Sequence, residues 1–74
     1  MAELAIIDTT GDTKVIWDAN NADEVEAARA TFEKLTKKGY KAFSVKDNGK
    51  EKDLIKSFDA SLEKIILVPP IVGG

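Results

Sequence analysis

Lys64-Ile65-Ile66-Leu67-Val68-Pro69-Pro70, near the carboxyl end of a 74-residue chain, decides how the rest must be arranged. A strand points successive side chains to opposite faces, so the unbroken run from Ile65 to Val68 puts apolar groups on both. Such a strand needs cover on one side and a neighbour along each edge. It therefore reads as the central strand of a sheet rather than an exposed edge. Pro69 and Pro70 stop it, because neither has an N–H to give to a ladder and both hold φ at about −65°.

The elements that must surround this strand lie upstream. Asn21 is placed to cap a helix, with Glu24 three residues later reaching back in a capping-box arrangement, and Asp23, Glu24 and Glu26 fall where a helix dipole favours anions. Val25, Ala28, Phe32 and Leu35 then recur on one apolar stripe. Arg29–Glu33 and Glu33–Lys37 are i,i+4 pairs on the other side, and Gly39 supplies a left-handed stop. The pattern predicts a helix over about 22–38.

Before the helix, Leu4-Ala5-Ile6-Ile7 and Val15-Ile16-Trp17 read as paired strands. Asp8-Thr9-Thr10-Gly11-Asp12-Thr13 forms the reversal between them. After the helix, Tyr40-Lys41-Ala42-Phe43-Ser44-Val45-Lys46 alternates, with Phe43 and Val45 on the face expected to be buried. The Asn-Gly pair in Asp47-Asn48-Gly49-Lys50 suits a type I′ turn. In the return segment Leu54, Ile55 and Phe58 point inward at mixed spacing, which leaves both a short strand and an irregular helical turn open. The order is strand, strand, helix, strand, strand or turn, strand. It predicts an α+β fold: a mixed four- to five-stranded sheet with one main helix packed across it.

Composition bounds what such a domain can do. The chain is long enough for one core; residues 1–70 read as a single domain and 71–74 as a flexible tail. Apolar residues make up 43% and charged residues 32%, which suits a soluble globule and is too apolar for a disordered chain. No Cys and no His are present, so disulfides, thiol nucleophiles, the usual zinc sets and the commonest general base are excluded. Thr9, Thr10, Thr13 and Ser44 have no base to activate them. Asp8 with Asp12, and Asp47 with Asp53, lie beside Gly or Asn and read as turn formers rather than metal ligands. Met1-Ala2-Glu3-Leu4 bears an acid where a signal peptide bears Lys or Arg, and no run spans a bilayer; the expectation is a cytoplasmic protein with no membrane partner.

The net charge of −2 conceals an asymmetry. Residues 1–33 hold eight acids against Lys14 and Arg29, a net of −6, whereas residues 34–74 hold five acids against nine lysines, a net of +4. A lysine-rich surface attracts acidic proteins or nucleic acid. Only Tyr40 and Phe43 interleave with these lysines, too few for a stacking platform, which argues against nucleic acid.

The final twelve residues, Glu63-Lys64-Ile65-Ile66-Leu67-Val68-Pro69-Pro70-Ile71-Val72-Gly73-Gly74, resemble the carboxyl end of the small sulfur-carrier subunit of molybdopterin synthase. There too a last apolar strand runs into Pro-Pro, two apolar residues and a terminal Gly-Gly. That family, with the thiamin sulfur carrier and ubiquitin, has the β-grasp fold, and the element order above is similar. The hairpin with Thr10-Gly11-Asp12-Thr13 and Trp17 departs from the family's usual opening, so the resemblance covers the tail and the element order. It implies a carrier that is not itself an enzyme. An E1-like adenylating enzyme, which supplies the ATP and Mg, activates the Gly74 carboxylate, and sulfur captures the acyl-adenylate as a thiocarboxylate or thioester. A larger synthase subunit or a sulfur donor would be further partners. The carrier itself would bind no cofactor.

The tail suits this role on physical grounds as well. Gly73 and Gly74 lack Cβ and can thread a narrow channel. Pro69 and Pro70 stiffen the exit, which lowers the entropy lost on insertion. Ile71 and Val72 are apolar anchors for a partner groove, and the sheet face around Phe43, Ile66 and Val68 is the expected dock. A terminal Gly-Gly alone arises by chance in about one chain in two hundred; its weight comes from the Pro-Pro, the apolar pair and the preceding strand. The competing expectation is a small non-enzymatic interaction domain, regulatory or encoded by a mobile element, that does not use the tail.

Overall fold

A computed structural model describes residues 1–8, 11–46 and 49–70. Five strands and one helix follow in the order β1 (Ala2–Asp8), β2 (Gly11–Trp17), α1 (Ala22–Lys37), β3 (Lys41–Lys46), β4 (Glu51–Ile55) and β5 (Lys64–Val68). They form a single mixed sheet in the order β2-β1-β5-β3-β4, with β5 parallel to β1 and antiparallel to β3. The central position expected for Lys64–Val68 is therefore observed, and Glu51–Ile55 of the return segment is a regular strand, β4, which makes the sheet five-stranded.

Both strands of the first hairpin are longer than their apolar runs suggest. Asp8 pairs with Gly11, so Gly11, Asp12 and Thr13, expected in the reversal, belong to β2. Thr9, Thr10 and the Asp47-Asn48 half of the expected type I′ turn lie outside the described residues; Gly49 has φ +89°.

Helix α1 begins as its sequence dictates, with the Asn21 side chain accepting from the N–H groups of Asp23 and Glu24. Glu24 reaches back beyond the cap. Its Oε1 accepts from the Asp18 N–H at 2.8 Å, while the Asn21 N–H donates to the Asp18 carbonyl instead. At the other end the Gly39 N–H donates to Thr36 and the Tyr40 N–H to Leu35, the paired bonds of a Schellman stop, with Gly39 at φ +101°. Arg29, expected beside Glu33, holds its guanidinium over the Phe58 ring at 5.9 Å from the centroid.

The core lies between α1 and one face of the sheet. Leu4, Trp17, Ala28, Phe32, Ile65 and Leu67 are all buried there, with Val25, Leu35, Ile55 and Phe58 packed against them. The segment 56–63 carries the chain from β4 back to the start of β5. It is held to this core by Phe58, whose ring lies 5.2 Å from that of Trp17 and 5.8 Å from that of Phe32.

Two expectations about facing are overturned. On β3 the buried residues are Ala42 and Ser44, and Phe43 and Val45 are half-buried on the side away from the helix. The large side chains Trp17, Phe32, Leu4, Ile65 and Leu67 fill the helix side, which leaves small residues there on β3. Leu54, expected to point inward, is 55% exposed; it pairs with Phe43 and shares its outward face.

Candidate docking face and tail exit

Residues directly opposite in paired strands share a face, so the register defines what the side of the sheet away from α1 presents. One row crosses the whole sheet: Lys14 on β2, Ala5 on β1, Ile66 on β5, Phe43 on β3 and Leu54 on β4. A second row, nearer the tail, contains Asp12 beside Ile7 and Val68 beside Lys41. On the other side of the apolar row stand Ile16, Glu3 and Lys64, then Val45 beside Lys52. This face has an apolar middle and a charged border. Ile7, Ile16 and Leu54 on it are exposed.

Two clefts open on this face. One, about 520 Å³, is bounded by Gly39, Lys41, Phe43, Val68, Pro69 and Pro70 and lies at the root of the tail. The other, about 340 Å³, is bounded by Ile7, Phe43, Lys52, Ile66 and Val68. Phe43 and Val68 line both, so the two clefts adjoin across these residues. A Cβ added to Gly39 would stand 3.4 Å from the Cβ of Pro70, at ordinary contact distance. The Schellman glycine thus lies against the second proline of the exit.

The electrostatics of the border are organised by Glu3. Its Oε2 is buried, accepts no hydrogen bond, and lies 3.9 Å from the ammonium groups of both Lys14 and Lys64. Among the described residues Lys41 and Lys52 form no ion pair. Away from this face, the carboxyl of Asp59 is held below its ordinary value by the Ser61 hydroxyl, which donates to it at 2.6 Å, and then by the Ser61 N–H at 2.9 Å.

The expected partner-binding residues Phe43, Ile66, Val68, Pro69 and Pro70 are therefore brought together on one surface. Ile71, Val72, Gly73 and Gly74 lie outside the described residues. Ile7, Lys41 and Lys52 were not singled out from the sequence and Leu54 was expected to point inward, yet all four belong to the same surface. The signal for them was the strand register, which a single apolar residue on an edge strand does not reveal. Trp17 is wholly buried and Tyr40 is half-buried against the core, so both serve packing. Among the described residues no three acidic side chains converge as a metal site would require, and no helix is long and apolar enough to cross a membrane.

In comparisons with known proteins, no family model, no curated protein and no solved structure matches this chain. The class of molecule is a small α+β domain with one helix on a mixed five-stranded sheet.

Proposed function

We propose that this chain is a ubiquitin-like sulfur carrier or protein modifier of β-grasp type that acts through its terminal glycine carboxylate. One observation carries the reading: the central strand β5 delivers the chain into Pro69-Pro70 at the edge of an apolar cleft. A partner that received the tail would rest on Phe43 and Val68 at the same time. The mixed sheet, with its first and last strands paired in the middle and one helix across one face, supports the β-grasp assignment.

In this reading the Gly74 carboxylate attacks the α-phosphorus of ATP in an E1-like adenylating enzyme. Pyrophosphate leaves, and an acyl-adenylate remains. A sulfur nucleophile then attacks the acyl carbon and displaces AMP, leaving a thiocarboxylate or thioester at Gly74. Beyond that carboxylate the chain supplies no base, metal or sulfur nucleophile, consistent with its lack of His and Cys. Gly73 provides access, Ile71 and Val72 anchor the tail, and Phe43, Ile66, Val68, Pro69 and Pro70 form the dock. The adenylating enzyme brings ATP and Mg, a synthase subunit or sulfur donor follows it, and the cytoplasm is the site of action.

ATP–pyrophosphate exchange with the adenylating enzyme of the same host tests this. Exchange that depends on the carrier and disappears when Gly74 is deleted, in a chain whose circular dichroism is unchanged, supports the reading. Exchange indifferent to Gly74 overturns it in favour of an interaction domain that ignores its tail.

A further inference from the structure

We propose that the cleft at the tail root is a seat for the chain's own last four residues, Ile71-Val72-Gly73-Gly74, which they occupy until a partner draws them out. The inference rests on the reading above in taking Gly74 as the carboxyl terminus, and it adds a resting place from which the tail must be released before it can react.

Position, chemistry and reach identify the occupant. Pro70 is the last described residue, and Pro69 and Pro70 are themselves walls of this cleft. Phe43 and Val68 supply its other large apolar side chains, and among the residues bounding it Lys41 alone is charged. The residues that come next carry the complement: two apolar side chains, two glycines that admit any turn, and a carboxylate. Fully extended, four residues reach about 13–14 Å. The cleft begins at Pro70 itself, so the span is sufficient, and a volume of about 520 Å³ has room for two aliphatic side chains. Lys41 stands directly opposite Val68 in the register and has no carboxylate partner among the described residues. Ile71 and Val72 then cover Phe43 and Val68, and the Gly74 carboxylate meets the Lys41 ammonium.

Such a seat is shallow. Two apolar side chains gain on burial about what the backbone of four residues loses on ordering, so the seated and released tails are close in stability. Covalent attachment at Pro70 favours this occupant over any separate peptide, because the segment is already at the cleft, and the stiff Pro-Pro pair has little freedom left to lose. A partner that grips Ile71 and Val72 more firmly therefore displaces the tail, and the vacated Phe43 and Val68 become available to it in the same step.

The test is nuclear magnetic resonance of the ¹³C,¹⁵N-labelled full chain. Contacts from the Ile71 and Val72 methyls to the Phe43 ring are expected at every protein concentration. The double variant Ile71→Ser with Val72→Ser should abolish them and move the amide signals of Lys41, Phe43 and Val68 while leaving those of α1 in place. Lys41→Gln, at an exposed position, should lower the ratio of seated to released tail about two- to fivefold, as loss of an exposed ion pair does, and remove the sensitivity of that ratio to salt. Absence of the methyl–ring contacts in the unaltered chain overturns the proposal. So do contacts seen only between differently labelled molecules, which would seat the tail in a second copy, and a ratio indifferent to Lys41→Gln. Pyrophosphate exchange reads the carrier claim separately: exchange that requires Gly74 without methyl–ring contacts removes the seat and keeps the carrier, whereas contacts without exchange do the reverse.

Discussion

The indole Nε1 of Trp17 donates to the carbonyl of Ala60 at 3.2 Å, tying the last residue of edge strand β2 to the segment that leads into β5. The two residues are 43 positions apart. The bond fixes the otherwise irregular segment 56–63 against the core, while Phe58 packs against the same ring system at a tilt of 58°. The start of β5 is held a second time, by the Glu3 N–H donating to the Glu63 carbonyl at 3.0 Å. The placement of the central strand thus depends on a side chain at the far edge of the sheet.

Trp17→Phe should therefore cost about 1–3 kcal/mol, since it leaves the Ala60 carbonyl without this donor and opens space beside Phe58. Urea denaturation measures the loss. Hydrogen exchange should show faster opening in residues 56–63 than in α1.

Gly39→Ala should destabilise by roughly 1–2 kcal/mol, because φ of +101° is one that L side chains rarely adopt. The new Cβ would meet Pro70 at ordinary contact distance, so backbone strain rather than a clash carries the cost. Replacement by D-Ala, which favours positive φ, should restore most of the stability in the same thermal unfolding measurement.

Asp59 supplies a pH prediction. Its pKa is lowered from 3.8 by the Ser61 hydroxyl and N–H, so the folded state favours the carboxylate. A group depressed on folding contributes stability above its unfolded value and loses that contribution as pH falls through the folded value. The contribution of this exposed pair should be constant at neutral pH and decline below 3.8. Carboxyl ¹³C titration should find the Asp59 midpoint below 3.8, and Ser61→Ala should move it upward while the backbone donor keeps part of the shift.

Local chemistry was legible where one residue type decides an outcome. Asn21 and Gly39 marked the ends of α1, Pro69 ended β5, and the apolar run Ile65 to Val68 placed that strand centrally. Facing was harder to read. Phe43 is larger and more apolar than Ala42 or Ser44, and pattern alone assigns it to the core; the packing of Phe32, Phe58 and Trp17 decides otherwise. That competition for volume is set by elements distant in sequence, which no local alternation encodes. For the same reason Lys41, Lys52 and Leu54 emerged as a surface only from the strand register, whereas the tail motif is the basis of the proposed reactive end.

The two faces of the sheet should respond differently to truncation. Leu67 is fully buried between the sheet and α1, and Leu67→Ala should cost about 2–5 kcal/mol through lost burial and the cavity left behind. Leu54 stands 55% exposed on the opposite face, in the row that contains Ile66 and Phe43, and Leu54→Ser should change stability by no more than about 0.5 kcal/mol. Ile66, half-buried between these extremes, should fall between them when changed to Ala. Chemical denaturation of the three variants ranks these costs. A large loss at Leu54 with little at Leu67 would reverse the assignment of the faces, and with it the apolar surface on which the proposed docking depends.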